Sequence, residues 1–207
     1  MHYICTTAVG RAVVAQFLVG RKQDTCGTGN QKLDKGYLLD TISGKLKIHF
    51  DLSFKMLVDV IESCPDNLWI VHEENKSLWK RILHVLEGID FWISDFSDYA
   101  FTSLFDGFTA EMDLTNNAVI EKYDMLTYKK LIEDNLKTFF KNIDDTSLLK
   151  ISSRYPGVSF LDIILSQIRH IQINLGYCNA AFNMVGIKGV KWLGYNEECQ
   201  EITEERE

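Results

Sequence analysis

Apolar residues recur along this chain at helical spacing over four long stretches. Phe50, Phe54, Leu57, Val58 and Ile61 follow i, i+4, i+7, i+8 and i+11, one stripe of a helix that should run from about residue 47 and stop before Pro65. Leu78, Ile82, Val85, Ile89 and Trp92 mark a second helix over about 76–93. Leu131, Leu136, Phe139 and Phe140 mark a third over about 127–142, with Thr127 as its expected N-cap. The fourth is the longest, about 159–185, opening near Ser159 or Pro156-Gly157, with Phe160, Ile164, Ile168, Ile171, Leu175, Cys178 and Phe182 as its stripe. No strand pattern and no repeat interrupts them, so the spacing predicts an all-α fold, a four-helix bundle.

Two segments lie outside this pattern. Residues 94–124 form a long connection between the second and third helices. Its aromatics, Phe96, Tyr99, Phe101, Phe105 and Phe108, predict packing on the core. Residues 1–44 are rich in Gly and Thr and lack sustained periodicity; they read as an appendage, and 37–50 as a short hairpin about Ser43-Gly44 or a poorly ordered stretch. On this pattern the folded domain covers 45–195, residues 1–44 are dispensable for folding, and 196–207 are a tail.

Charge sharpens the picture at one end only. The net charge is −7, but residues 197–207 carry six Glu against one Arg and hold −5 of it, leaving −2 for the rest. The acidity is a solvated tail, and no basic face is present to track a phosphate backbone, so nucleic-acid binding is not expected. The five cysteines are scattered without C-x-x-C spacing, which points to a reducing compartment. The apolar run 12–20 has the length of a signal-peptide core, yet its only preceding cation is Arg11 and no small-x-small site follows. It is too short to span a bilayer. A cytoplasmic protein that does not engage membranes is expected.

Candidate chemistry lies on two helices. At 100° per residue, Gln167, His170 and Asn174 fall within about 60° of one another at one edge of the fourth stripe, where a crevice between helices would be lined. His170 and Asn174 are one turn apart and can share a ligand. On the second helix His84 lies off the stripe with Lys80, Arg81 and Glu87. Imidazoles from facing helices are a common way to hold a divalent ion, whereas an amide oxygen is a weak, uncharged ligand. Glu87 reads as a solvent-exposed carboxylate, Cys178 as an inert buried thiol, and Trp69, Trp79, Trp92 and Trp192 as core or seam residues. The "GTG" at 27–29 lacks the context of any phosphate loop.

Two stretches resemble the DinB-like (DinB/YfiT-like) superfamily. "SLWKRILHVLEGIDFWI", residues 77–93, is similar to its second helix through Trp79, His84, Asp90, Phe91 and Trp92. "IRHIQINLGYCNAAFNMVGIKGVKWLGY", residues 168–195, is similar to its last helix through Arg169, His170, Ile171, Gln172, Gly176, Asn179, Trp192 and Gly194. The resemblance implies a four-helix bundle with a long connection between helices two and three, often a homodimer. It also implies a divalent metal held by three histidines. His84 and His170 match two of them; the third position carries Asn174, and 173, often also histidine, carries Ile173. The expected protein therefore has a degenerate metal site of His84, His170 and Asn174, holding zinc, nickel or manganese weakly or not at all. It acts as a binding or stress-associated protein with a small-molecule ligand in the crevice. The alternative implied by relatives is a metal-dependent transferase of the thiol S-transferase kind, or a hydrolase. A purely structural dimerisation module is a third reading. The match at both positions implies that His84 and His170 face each other across the bundle.

Overall fold

The structure, a computed structural model, describes residues 41–71, 77–96, 100–101, 103 and 119–194. Among these the fold is all-α: α1 Ile42–Ser63, the short α2 Asp66–Trp69, α3 Leu78–Ser94, α4 Lys122–Lys141 and α5 Phe160–Met184. The described residues contain no strand, only an isolated bridge between Ile151 and Ser159. None of their helices is long and apolar enough to cross a membrane.

α1 begins earlier than its stripe suggests, and the hairpin expected about Ser43-Gly44 is instead its first turn. The reason lies at the helix start. Thr41 Oγ1 accepts the Gly44 N–H at 3.1 Å, and the Asp145 carboxylate accepts the N–H groups of Ile42 (3.1 Å) and Ser43 (2.8 Å). Donors that a helix leaves unsatisfied are thus met twice, once locally and once by a residue far along the chain. The boundary drawn at 44/45 therefore falls inside α1, and a truncation that spares the helix must end by residue 40. The rest of that expected appendage, residues 1–40, lies outside the described residues, as does the tail 196–207.

α4 also starts early, at Lys122, because the buried side chains Met125 and Tyr128 continue its stripe upstream. Thr127 is not its cap; its hydroxyl donates to the Tyr123 carbonyl from within the helix. α5 starts where expected: Ser159 and Asp162 form a reciprocal capping box. It ends at Met184; beyond its cap Val185, Gly186 has a φ of +77° that suits glycine, and the Ile187 N–H returns to the Phe182 carbonyl.

The four long helices form a ring in which α1 packs on α5 and α4, and α3 packs on α4 and α5. The start of α1 meets Asp145 beyond the end of α4, and Lys122 at the start of α4 donates to the Cys64 carbonyl beyond the end of α1, so those two are antiparallel. Phe96 after α3 and Phe139 near the end of α4 both reach Phe160 at the start of α5. α3 and α4 therefore run parallel to each other and antiparallel to α5. A helix of α3's 17 residues is about 26 Å long. Parallel neighbours require the chain to travel back over that distance, which accounts for the long segment between them. Within it, Phe96 packs on the core, and Phe101 meets Phe91 with centroids 5.5 Å apart; Tyr99, Phe105 and Phe108 lie outside the described residues.

The core lies inside the ring, with Phe50, Leu57 and Ile61 from α1, Ile82 and Ile89 from α3, Met125 and Ile132 from α4, and Ile171 and Phe182 from α5. Trp69 and Trp79 belong to it, and Trp92 is half-buried, but Trp192 is 71% exposed, contrary to expectation. Glu87 also departs from its reading: it is only 6% exposed and accepts a hydrogen bond from the Ser103 hydroxyl at 2.7 Å. Its residue type and its place off the stripe suggested solvent, but Ser103 of the long connection reaches it.

Candidate functional site

The seam between α3 and α5 brings together all three candidate residues. His84 and His170 face each other: their Nε2 atoms are 3.0 Å apart and their rings meet edge to face, with centroids 4.8 Å apart. The approach depends on Gly88, one turn after His84. A Cβ there would sit 3.1 Å from His170 Cε1 and 3.3 Å from Nδ1, so any side chain would push the imidazole away. A glycine inside a helix costs about 1 kcal/mol of helix propensity. The signal for such a close approach was present in the sequence as an isolated glycine in a helical run.

The protonation pattern follows from the surroundings. His170 Nδ1 lies 3.5 Å from Oε1 of the buried Gln167. With the proton on Nδ1, His170 Nε2 presents a lone pair and His84 Nε2–H donates to it. Burial, reinforced by the nearby His84, pushes the His170 pKa down to about 4. His170 is thus a neutral imidazole at physiological pH, the form that binds metals.

The third position is different. Asn174 is 4% exposed, and both ends of its amide are engaged. Its Nδ2 donates to the His170 carbonyl at 2.8 Å, and its Oδ1 accepts from Arg81 Nη1 at 3.0 Å. The Arg81 guanidinium also stacks on Tyr177, with Cζ 4.2 Å from the ring centroid. Arg81 precedes His84 by three residues and Tyr177 follows Asn174 by three, so both belong to the same seam.

The donor set can be tested against a metal. Two nitrogen ligands about 2.05 Å from one ion sit roughly 3.3 Å apart at the tetrahedral angle. The histidine pair needs a shift of only a few tenths of an ångström to meet that. Asn174 does not fit: its oxygen already accepts from a permanent cation, whose charge opposes a dication. Among the described residues, no group of three or more His, Cys, Asp or Glu side chains could hold a metal ion. Cys178, central in the α5 stripe, is buried as read, and burial raises its thiol pKa to about 12. Gln172 and Asn179 hold the frame. Gln172 donates to Ser53 on α1 at 3.0 Å, and Asn179 accepts the Val190 N–H at 2.9 Å. The chain matches no protein-family model, no curated protein and no solved structure.

Proposed function

We propose that this chain is a DinB-like four-helix-bundle protein that serves as a binding or stress-associated protein, its three-histidine metal site reduced to a histidine pair. The ring of four long helices, the long connection between a parallel pair, and the meeting of His84 with His170 support the reading. The observation that carries it is the Arg81–Asn174 hydrogen bond, which puts a guanidinium against the oxygen where a third ligand would be needed. Two imidazoles then bind zinc, nickel or manganese weakly, with water completing the shell. A homodimer in a reducing cytoplasm, with a small molecule at the α3–α5 seam, belongs to the same reading. The buried free thiols Cys64 and Cys178 suit that compartment.

The test is metal titration of untagged protein by calorimetry, with the variant Asn174→His, Arg81→Ala. Removing the guanidinium and adding an imidazole should tighten zinc or nickel binding by about 10- to 100-fold, in line with the loss seen when metal-site shells are broken. The metal should also raise the variant's melting temperature, because a ligand of the folded state stabilises it by mass action. Near-stoichiometric zinc, nickel or manganese on the parent as purified would overturn the reading and favour the metal-dependent transferase or hydrolase.

A further inference from the structure

Among the described residues two arginines stack on aromatic rings, and their surroundings differ. Arg154 lies over Phe91, with Cζ 4.5 Å from the centroid. It also donates to the Phe91 carbonyl and to Ser94 Oγ, and its Nε lies 3.6 Å from the Asp95 carboxylate. That is an arginine with its anion supplied. Arg81 lies over Tyr177 in the same manner, yet its hydrogen bond is to the neutral Asn174 and no carboxylate among the described residues pairs with it. The bond to Asn174 uses Nη1, leaving the Nε–Nη2 edge, the edge that gives two parallel hydrogen bonds to a carboxylate or phosphate.

The geometry points to Arg81 as the anchor of an oxyanion site at the half-exposed edge of the α3–α5 seam, taking the carboxylate or phosphate group of a small ligand. The guanidinium is held in advance. Tyr177 supports one face, and Asn174, itself tied to the His170 carbonyl, fixes one nitrogen. A preordered fork loses little freedom on binding, which is where a flexible surface arginine forfeits affinity. The site goes beyond the histidine pair and uses no metal, so it stands or falls separately from the metal reading.

The experiment uses full-length protein passed over a chelating resin to strip metal. It is titrated with inorganic phosphate, with acetate and with chloride at matched ionic strength, following the Arg81 Nε–H resonance and the melting temperature. The resonance is identified by its loss in Arg81→Gln. Saturable shifts and a rise in melting temperature with phosphate or acetate, but not chloride, are expected; the tighter of the two identifies the group. Arg81→Lys, which keeps the charge but not the fork, should weaken binding about tenfold, and Arg81→Gln should abolish it. Absence of saturation by both oxyanions, or unchanged affinity in either variant, would overturn the site.

Discussion

Helix α3 presents polar side chains to two neighbours, and the two seams are built differently. Toward α4 it offers Asp90, which is 1% exposed and accepts from the Tyr128 hydroxyl at 3.1 Å and from Asn135 Nδ2 at 3.2 Å. Toward α5 it offers His84 and Arg81, both half-buried, which meet a second imidazole and a neutral amide. Asp90 and His84 lie about 120° apart around α3, so one helix serves both seams. In the α4 seam an acid is matched by donors away from water, an arrangement that locks two parallel helices in register. In the α5 seam nitrogen meets nitrogen, and the Arg81 cation pairs with no carboxylate among the described residues. The first is explained by folding alone; the second is where the proposed binding sites lie.

The largest expected effect tests the first half of that contrast. Asp90→Ala would leave the Tyr128 hydroxyl and the Asn135 amide without this partner in a dry seam, costing about 3 kcal/mol. Asn174→Ala removes two bonds, one to a half-exposed guanidinium that can turn to water and one to the His170 carbonyl, and should cost about 1–2 kcal/mol. Urea denaturation with unchanged slope would measure both. Equal costs would mean that the α5 seam is as structural as the α4 seam.

The contrast also explains what the residue pattern disclosed. Stripe residues are set by local periodicity, and Phe50, Ile61, Ile82 and Phe182 are buried as their spacing implies. The meeting of His84 with His170 is legible through the resemblance, and the Ser159 cap through its spacing to Asp162. What stayed hidden depends on contacts between distant segments. The start of α1 needs Asp145, about a hundred residues on. Glu87 is buried and is met by Ser103 of the connection. Arg81 sits off the α3 stripe, where solvent and seam look alike until α5 is in place. The polar edge of α5 was visible; that its asparagine faces a guanidinium was not.

A smaller effect comes from pH and belongs to the α5 seam. The folded His170 has a pKa of about 4, below the 6.5 of an ordinary histidine, because its ring is buried beside His84. The unfolded chain therefore binds more protons across that window. Stability from this group is fully present above pH 6.5 and is lost as pH falls toward 4. The ring is partly open to solvent, so screening limits the loss to about 2 kcal/mol. Melting curves of the parent and of His170→Gln at a series of pH values should show their difference shrinking from pH 6.5 downward. A constant difference would mean that His170 titrates normally and that the seam is wetter than its geometry implies.

The smallest effect measures the His170 contact itself, through two glycines on opposite sides of the seam. Gly176 on α5 has nothing within 4 Å of where a Cβ would stand, so Gly176→Ala should simply gain helix propensity, up to about 1 kcal/mol. Gly88→Ala would gain the same but set its methyl 3.1 Å from His170 Cε1, where packing strain costs about 1–3 kcal/mol. Its net change should fall between zero and about 2 kcal/mol of destabilisation, with the gap between the two variants reporting the contact. Gly88→Ala should also weaken the proposed metal binding by the histidine pair, because the imidazole must shift by a few tenths of an ångström from its place against His84. If both variants stabilise the protein equally and Gly88→Ala leaves metal affinity unchanged, His170 does not rest against α3. The α5 seam would then be an ordinary polar edge.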